Sequence, residues 1–244
     1  MKSLLPAFAL VSVLALAAPR AGATAGAPPP PIRASAAPAS AARIPHAGLE
    51  AALLAAAPTL RAEALHAALA AWETLRSRGE LAHDCLGVID YGLPSTAPRL
   101  WVFDLEAPRL LYHERVAHGR NTGEDLATTF SNDDGSLMTS LGAFVTGDTY
   151  VGRNGYSLRL RGMDPGLNDL AEARAIVMHG APYVSDDFVR RAGRLGRSHG
   201  CPAVRLEIAR ELIDLVKGRS LLYAWHPSLQ APGTPDAVAA SAPK

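Results

Sequence analysis

The chain has 244 residues, 48% of them hydrophobic, with 24 basic and 23 acidic side chains for a formal charge of +1. That length suits one medium-sized domain with appendages rather than two full ones. A near-neutral chain without a lysine-arginine cluster gives no electrostatic basis for binding nucleic acid, and two cysteines, Cys85 and Cys201, are too few for a disulfide scaffold.

Residues 1–23 read as an export signal. Lys2 supplies the positive start, Leu4 to Ala18 an apolar run, and Ala21-Gly22-Ala23 a small-residue cleavage site. The run stops short of the ~20 apolar residues that span a bilayer, so no stable membrane insertion is expected. Cleavage takes Lys2 and Arg20 from the 24 basic residues and none from the 23 acidic ones, which leaves 22 against 23, formally −1. Residues 24–45, with Pro28 to Pro31 and Pro38 among alanines and serines, read as a linker.

Residues 46–80 form a helical preface in this reading. Leu49, Leu53, Leu60, Leu65, Leu69, Trp72 and Leu75 recur at three- and four-residue steps, Pro58 divides two segments, and Gly79 ends the second. From Leu81 the pattern turns to β. Leu86 to Tyr91 and Leu100 to Leu105 are strand-like, Glu106 to Arg109 a turn, and Leu110 to Ala117 the returning hairpin strand. Gly119 to Ser140 is long for a connection, and long loops in compact domains tend to be functional. Tyr156 to Leu160 and Ala175 to Met178 read as strands. Ser185 caps a helix that ends at Gly193, and Leu206 to Lys217 is a helix whose apolar side carries Leu206, Ile208, Leu212, Ile213, Leu215 and Val216. Leu221 to Trp225 closes as a strand, and 228–244 reads as a disordered tail. The expected architecture is α+β and mostly β, with the body at 81–227 and the helical preface packed against it.

The chemistry concentrates in two stretches, Ala175-Ile-Val-Met-His179-Gly180 and Gly196-Arg197-Ser198-His199-Gly200-Cys201-Pro202. A thiol attacks carbonyls as thiolate, and an unperturbed pKa of ~8.5 leaves little of it ionised at neutral pH. His179, 22 residues before Cys201, is placed to take that proton. Gly200 allows an unusual backbone conformation, so the N–H groups of Gly200 and Cys201 are expected to converge where an oxyanion would form. The Gly180 carbonyl is a candidate for fixing the His179 tautomer. A buried structural cysteine is the alternative, and it is the reading for Cys85, which leads into an apolar strand. Zinc on His179, His199 and Cys201 is a further alternative that lacks the usual ligand spacing, so neither metal nor cofactor is expected. His83, His113, His118 and His226 read as surface or satisfied structural groups.

The string from Ala175 to Val204 resembles the catalytic signature of the murein L,D-transpeptidase (YkuD-like) family, in the branch that reads Gly-Arg-Ser-Xaa-Gly-Cys-Pro-Ala. The likeness extends over about Leu81 to Trp225 and includes Ala117 to Gly123 and Leu141 to Gly147. It implies a β-sandwich or barrel catalytic domain, and Cys201 as a nucleophile forming a thioester with a peptidoglycan stem tetrapeptide while terminal D-alanine leaves. It further implies His179 as general base and then acid, Ser198 and His199 shaping the loop, and Gly200 and Cys201 as amide donors. His199 stands where this branch often carries an aromatic, which points to packing. Gly180, Tyr183 and Arg197, flanking those residues, are expected to contact substrate. The alternatives are an L,D-carboxypeptidase using water, another cysteine peptidase or amidase (usually with Cys before His in the chain), or an inactive wall-binding protein. The expected location is exported, periplasmic or cell-wall associated.

Overall fold

The computed structural model of the chain describes residues 46–230. The expected signal, the linker and all but the first residues of the expected tail lie outside the described residues.

Residues His46–Ala56 form α1 and Ala62–Ser77 form α2, with Pro58 in the connection where its ring cannot continue a helix. At the end of α2 the Gly79 N–H donates to the Arg76 carbonyl and the Glu80 N–H to the Leu75 carbonyl. Gly79 itself is left-handed, at φ 69°. This pair of bonds satisfies carbonyls that the helix end would leave open.

The strands are β1 (Cys85–Asp90), β2 (Leu100–Asp104), β3 (Arg109–Glu114), β4 (Gly142–Gly152), β5 (Gly155–Gly162), β6 (Val177–Gly180), β7 (Ala203–Val204) and β8 (Leu221–Trp225). They make one eight-stranded sheet in the order β3-β2-β1-β8-β4-β5-β6-β7. β1 with β8 and β6 with β7 are parallel pairs, and the other neighbours are antiparallel. The connections into the parallel partners run through α3 (Asp186–Ala192) and α4 (Leu206–Val216).

Both faces of the central strands are covered. In β8, Leu221, Tyr223 and Trp225 join α1 and α2 in one cluster, while Leu222 and Ala224 join α4 in another. Alternate side chains therefore meet different helices, and the strand reads as an unbroken apolar run rather than an alternation. The mostly β domain with a packed helical preface is what the residue pattern implied.

Three local expectations change. β3 stops at Glu114, and Val116 and Ala117 leave the hairpin so that Ala117 can bridge Ala203. β4 is a strand that the residue pattern does not predict, because Gly142, Gly147 and Gly152 dilute it. In α4 the buried stripe is Ile208, Ala209, Leu212, Ile213 and Val216, which leaves Leu206 and Leu215 exposed.

Candidate active site

Cys201 sits just before β7, and His179 lies on the neighbouring strand β6. The parallel register pairs His179 with Ala203 and Gly180 with Val204, so the histidine is two positions further along the strand pair than the cysteine. The Cys201 thiol accepts from the Val177 N–H at 3.5 Å and points its own hydrogen at the Ala175 carbonyl at 3.9 Å. It makes no hydrogen bond with the His179 ring, whose Nδ1–H instead donates to the Gly180 carbonyl at 2.9 Å. That contact leaves Nε2 as the basic nitrogen.

Both groups are neutral in the resting site. Burial pushes the Cys201 thiol above its ordinary value, against the opposing pull of the Val177 N–H and the Arg174 guanidinium. Burial also holds His179 below 6.5, with the Gly180 carbonyl opposing. These shifts favour a neutral thiol and a neutral imidazole over a preformed ion pair.

Ser198 shapes the loop. Its hydroxyl donates to the Cys201 carbonyl at 2.6 Å and accepts from the Gly200 N–H at 3.1 Å. Its own N–H donates to the His118 carbonyl at 2.9 Å, and its carbonyl accepts from the Arg120 N–H at 2.8 Å. The expected convergence of two amide donors is therefore corrected, because the Gly200 N–H is already committed to Ser198. Gly200 has φ 120°, and a side-chain carbon built there would lie 2.6 Å from the Met138 carbonyl oxygen. Only glycine fits that turn.

The remaining expected residues divide. His199 is exposed beside the cysteine and makes no hydrogen bond among the described residues. Tyr183 is half-buried, packs on Gly196, and lies close enough to feel the Cys201 charge, which adds to burial in raising its phenol. Arg197 donates to the carbonyls of Arg120 at 3.2 Å and Gly123 at 2.9 Å and to Glu124 at 2.7 Å. Its role in this geometry is to brace the 119–124 loop.

The long 119–140 loop does lie against the cysteine. Gly119 bridges Ser198, and the Thr139 hydroxyl accepts from the Gly119 N–H at 2.9 Å and donates to the Gly200 carbonyl at 3.4 Å. Beneath it His118 is buried rather than superficial. Its Nδ1 accepts from Arg99 at 2.8 Å, so Nε2 carries the hydrogen directed at the Gly123 carbonyl at 3.4 Å. Burial and then the Arg99 cation lower its pKa to about 4. Arg174 is a neighbour that sequence reasoning missed, and its partners all lie in the distant 131–140 loop. Two cavities of about 520 and 800 Å³ open elsewhere, lined by neither Cys201 nor His179. Among the described residues no cluster of three metal-ligating side chains exists, and no helix is long and apolar enough to cross a membrane.

Comparison with known proteins decides the family. The L,D-transpeptidase catalytic domain matches residues 56–225. The chain belongs to the L,D-transpeptidase catalytic-domain family. The matched segment takes in α2 as well as the whole sheet and both candidate residues. Similar solved structures include an L,D-transpeptidase from Mycobacterium smegmatis, at 15% identity, TM-score 0.38, and 58% coverage of each chain. Another is the LD transpeptidase LdtMt1 in complex with imipenem, at 16% identity and TM-score 0.36, covering 57% of this chain and 58% of that one. A third is the helical cell shape determining protein Pgp2 from Campylobacter jejuni, at 14% identity and TM-score 0.37, covering 63% of this chain and 53% of that one. The chain thus spans less than two thirds of the length of each of these neighbours. No curated protein matches it as a relative.

Proposed function

We propose that the chain is an exported cysteine L,D-transpeptidase acting on peptidoglycan stem peptides. The observation that carries the reading is the family match over residues 56–225 together with the parallel β6–β7 register, which sets His179 beside the strand that Cys201 leads into. His179 Nε2, left basic by the Nδ1 contact to Gly180, takes the Cys201 proton as the thiol attacks the carbonyl before the terminal D-alanine of a stem tetrapeptide. D-alanine leaves with the proton returned by His179, and a thioester remains on Cys201. The amine of a second stem then resolves the thioester to give a cross-link. Ser198 and Gly200 hold the turn that presents Cys201, and Tyr183 lines the approach beside it.

The test is mass spectrometry of products after incubation with disaccharide-tetrapeptide. Cross-linked dimers with release of D-alanine are expected. Tripeptide without dimer would make the protein an L,D-carboxypeptidase at the same cysteine. An unchanged substrate, with no acyl adduct on Cys201, would overturn the reading.

A further inference from the structure

We propose that Arg174 is a positioning residue for Cys201, clamping the 131–140 loop against the Gly200 turn and holding a fixed cation beside the sulfur. The inference rests on the reading of Cys201 as a thiolate nucleophile and adds a residue to it.

The guanidinium is used as a fork. One terminal nitrogen donates to the Ser131 carbonyl at 2.9 Å and the Ser140 hydroxyl at 2.6 Å. The other donates to the Met138 carbonyl at 2.7 Å and the Ser136 hydroxyl at 3.1 Å. These are neutral acceptors drawn from ten residues of loop, and a planar five-donor group can join them where an ammonium cannot. No carboxylate forms an ion pair with Arg174 among the described residues, although Asp134 and Asp133 act on its charge at longer range. The clamp lies against Gly200, the residue before the nucleophile. The Met138 oxygen that Arg174 holds is 2.6 Å, and the Arg174 nitrogen itself 3.4 Å, from where a side chain at Gly200 would begin. The chain then runs directly from Arg174 to Ala175, whose carbonyl faces the Cys201 thiol.

A half-buried cation in that place favours the anionic sulfur. The charges agree in direction, since Arg174 lowers the thiol pKa and the thiolate raises that of Arg174. The other titratable groups around the sulfur are Tyr91 just after β1, Tyr183 after β6, and His179 on β6. Burial holds both phenols protonated and the imidazole neutral. Asp134 and Asp133 on the loop also act on Arg174 and raise its pKa. Among the described residues, Arg174 is the cation that acts on the Cys201 sulfur while His179 is unprotonated.

The experiment follows iodoacetamide alkylation of Cys201 against pH by site-resolved mass spectrometry, in the full chain and in Arg174→Gln and Arg174→Lys. Gln removes the charge and should move the alkylation midpoint up by about one pH unit, an alkylation rate about tenfold lower at neutral pH. Lys retains the charge without the fork. It should keep the midpoint while amides of the 131–140 loop exchange hydrogen faster, and its kcat should fall. A Gln profile that overlays that of the parent would overturn the proposal. If Gln does not fold, Lys decides, since a midpoint shifted despite the retained charge overturns it equally. Alkylation needs no murein substrate. A shifted Gln profile in a protein inert toward tetrapeptide would remove the transpeptidase reading and leave this one standing.

Discussion

Cys85 and Cys201 are equally inaccessible, each 8% exposed and each a free thiol, yet their surroundings are built to opposite ends. Cys85 opens β1 directly across from Asp104, and burial followed by that carboxylate pushes its thiol up to about 12. Both influences oppose an anion there. Cys201 ends a polar glycine-bearing turn at the edge of the sheet, where burial also raises the thiol but an amide donor and a guanidinium pull it back. Exposure alone would not separate the two. What separates them is whether the neighbours stabilise or oppose negative charge on sulfur.

The largest effect should fall on that distinction. Cys201→Ala is expected to abolish the acyl adduct and turnover, whereas Cys85→Ala should keep activity and lose only modest stability through a small cavity. Cys201→Ser should be nearly inactive, because an alkoxide is far harder to form than a thiolate. Intact mass of the protein after exposure to tetrapeptide reads all three. An adduct persisting in Cys201→Ala would break the comparison at its root. Without any mutation, Cys201 should react with iodoacetamide near neutral pH faster than Cys85.

The next effect concerns the base. His179→Ala should lower kcat/KM at least ~100-fold, the lower end for general acid–base catalysis. His199→Phe should retain substantial activity, since its ring makes no hydrogen bond among the described residues. The pH profile adds a sign. His179 must be neutral to accept the proton, and burial depresses its pKa, so the acid limb of kcat/KM should lie below pH 6.5 rather than above it. Equal, severe losses in both variants, or an acid limb above pH 6.5, would undo this division of roles.

How far these roles could be read in the sequence depended on the range of the interaction. The cap of α3 was legible because Ser185 and the Phe188 N–H are three residues apart and Gly193 takes a left-handed turn at φ 70°. The same holds for Gly79 and for the thiol and imidazole, whose residue types announce themselves. Arg174 was not legible, since its partners are loop carbonyls and hydroxyls 34 to 43 positions away. Nor was the direction of the Gly200 N–H, which a serine hydroxyl two residues back decides. The partners of Arg197 in the 120–124 segment were not legible for a similar reason. Position within a motif says nothing about which carbonyls a long side chain will find.

His118 carries the comparison from the thiols to what supports them, with an effect on stability instead of rate. Its ordinary pKa is 6.5 and its folded value about 4. Between those values the unfolded chain takes up a proton that the folded one refuses. Stability from this group is complete above pH 6.5, declines as pH falls toward about 4, and is then fully lost. The difference amounts to about 3 kcal/mol. His118→Gln can accept from Arg99 and donate to Gly123 without binding a proton. Urea unfolding across that pH range should therefore give a flatter stability curve for the variant, and parallel curves would assign the titration elsewhere.

The smallest expected effect is a gain. Ala175, whose carbonyl faces the Cys201 thiol, is left-handed at φ 53°. It ends a helical turn in which the Ile176 N–H donates to the Ala171 carbonyl at 2.9 Å and the Ala175 N–H to the Glu172 carbonyl at 3.0 Å. That is the double bond pattern found at helix ends, where glycine normally occupies the left-handed position. Alanine there crowds its side-chain carbon against the following carbonyl, a cost of about 1–2 kcal/mol. Glycine removes the crowding but gives the unfolded chain more freedom, which takes back ~0.4–1 kcal/mol. Ala175→Gly should therefore stabilise by about 0.5 kcal/mol or slightly more, seen as a higher urea midpoint at unchanged slope. Activity is the more telling readout. If the left-handed alanine serves only to turn the chain toward β6, the variant keeps its kcat. If kcat falls while stability rises, the strain at Ala175 is part of how the Arg174–Ala175 corner holds the Cys201 sulfur in place, a constraint with no counterpart beside Cys85.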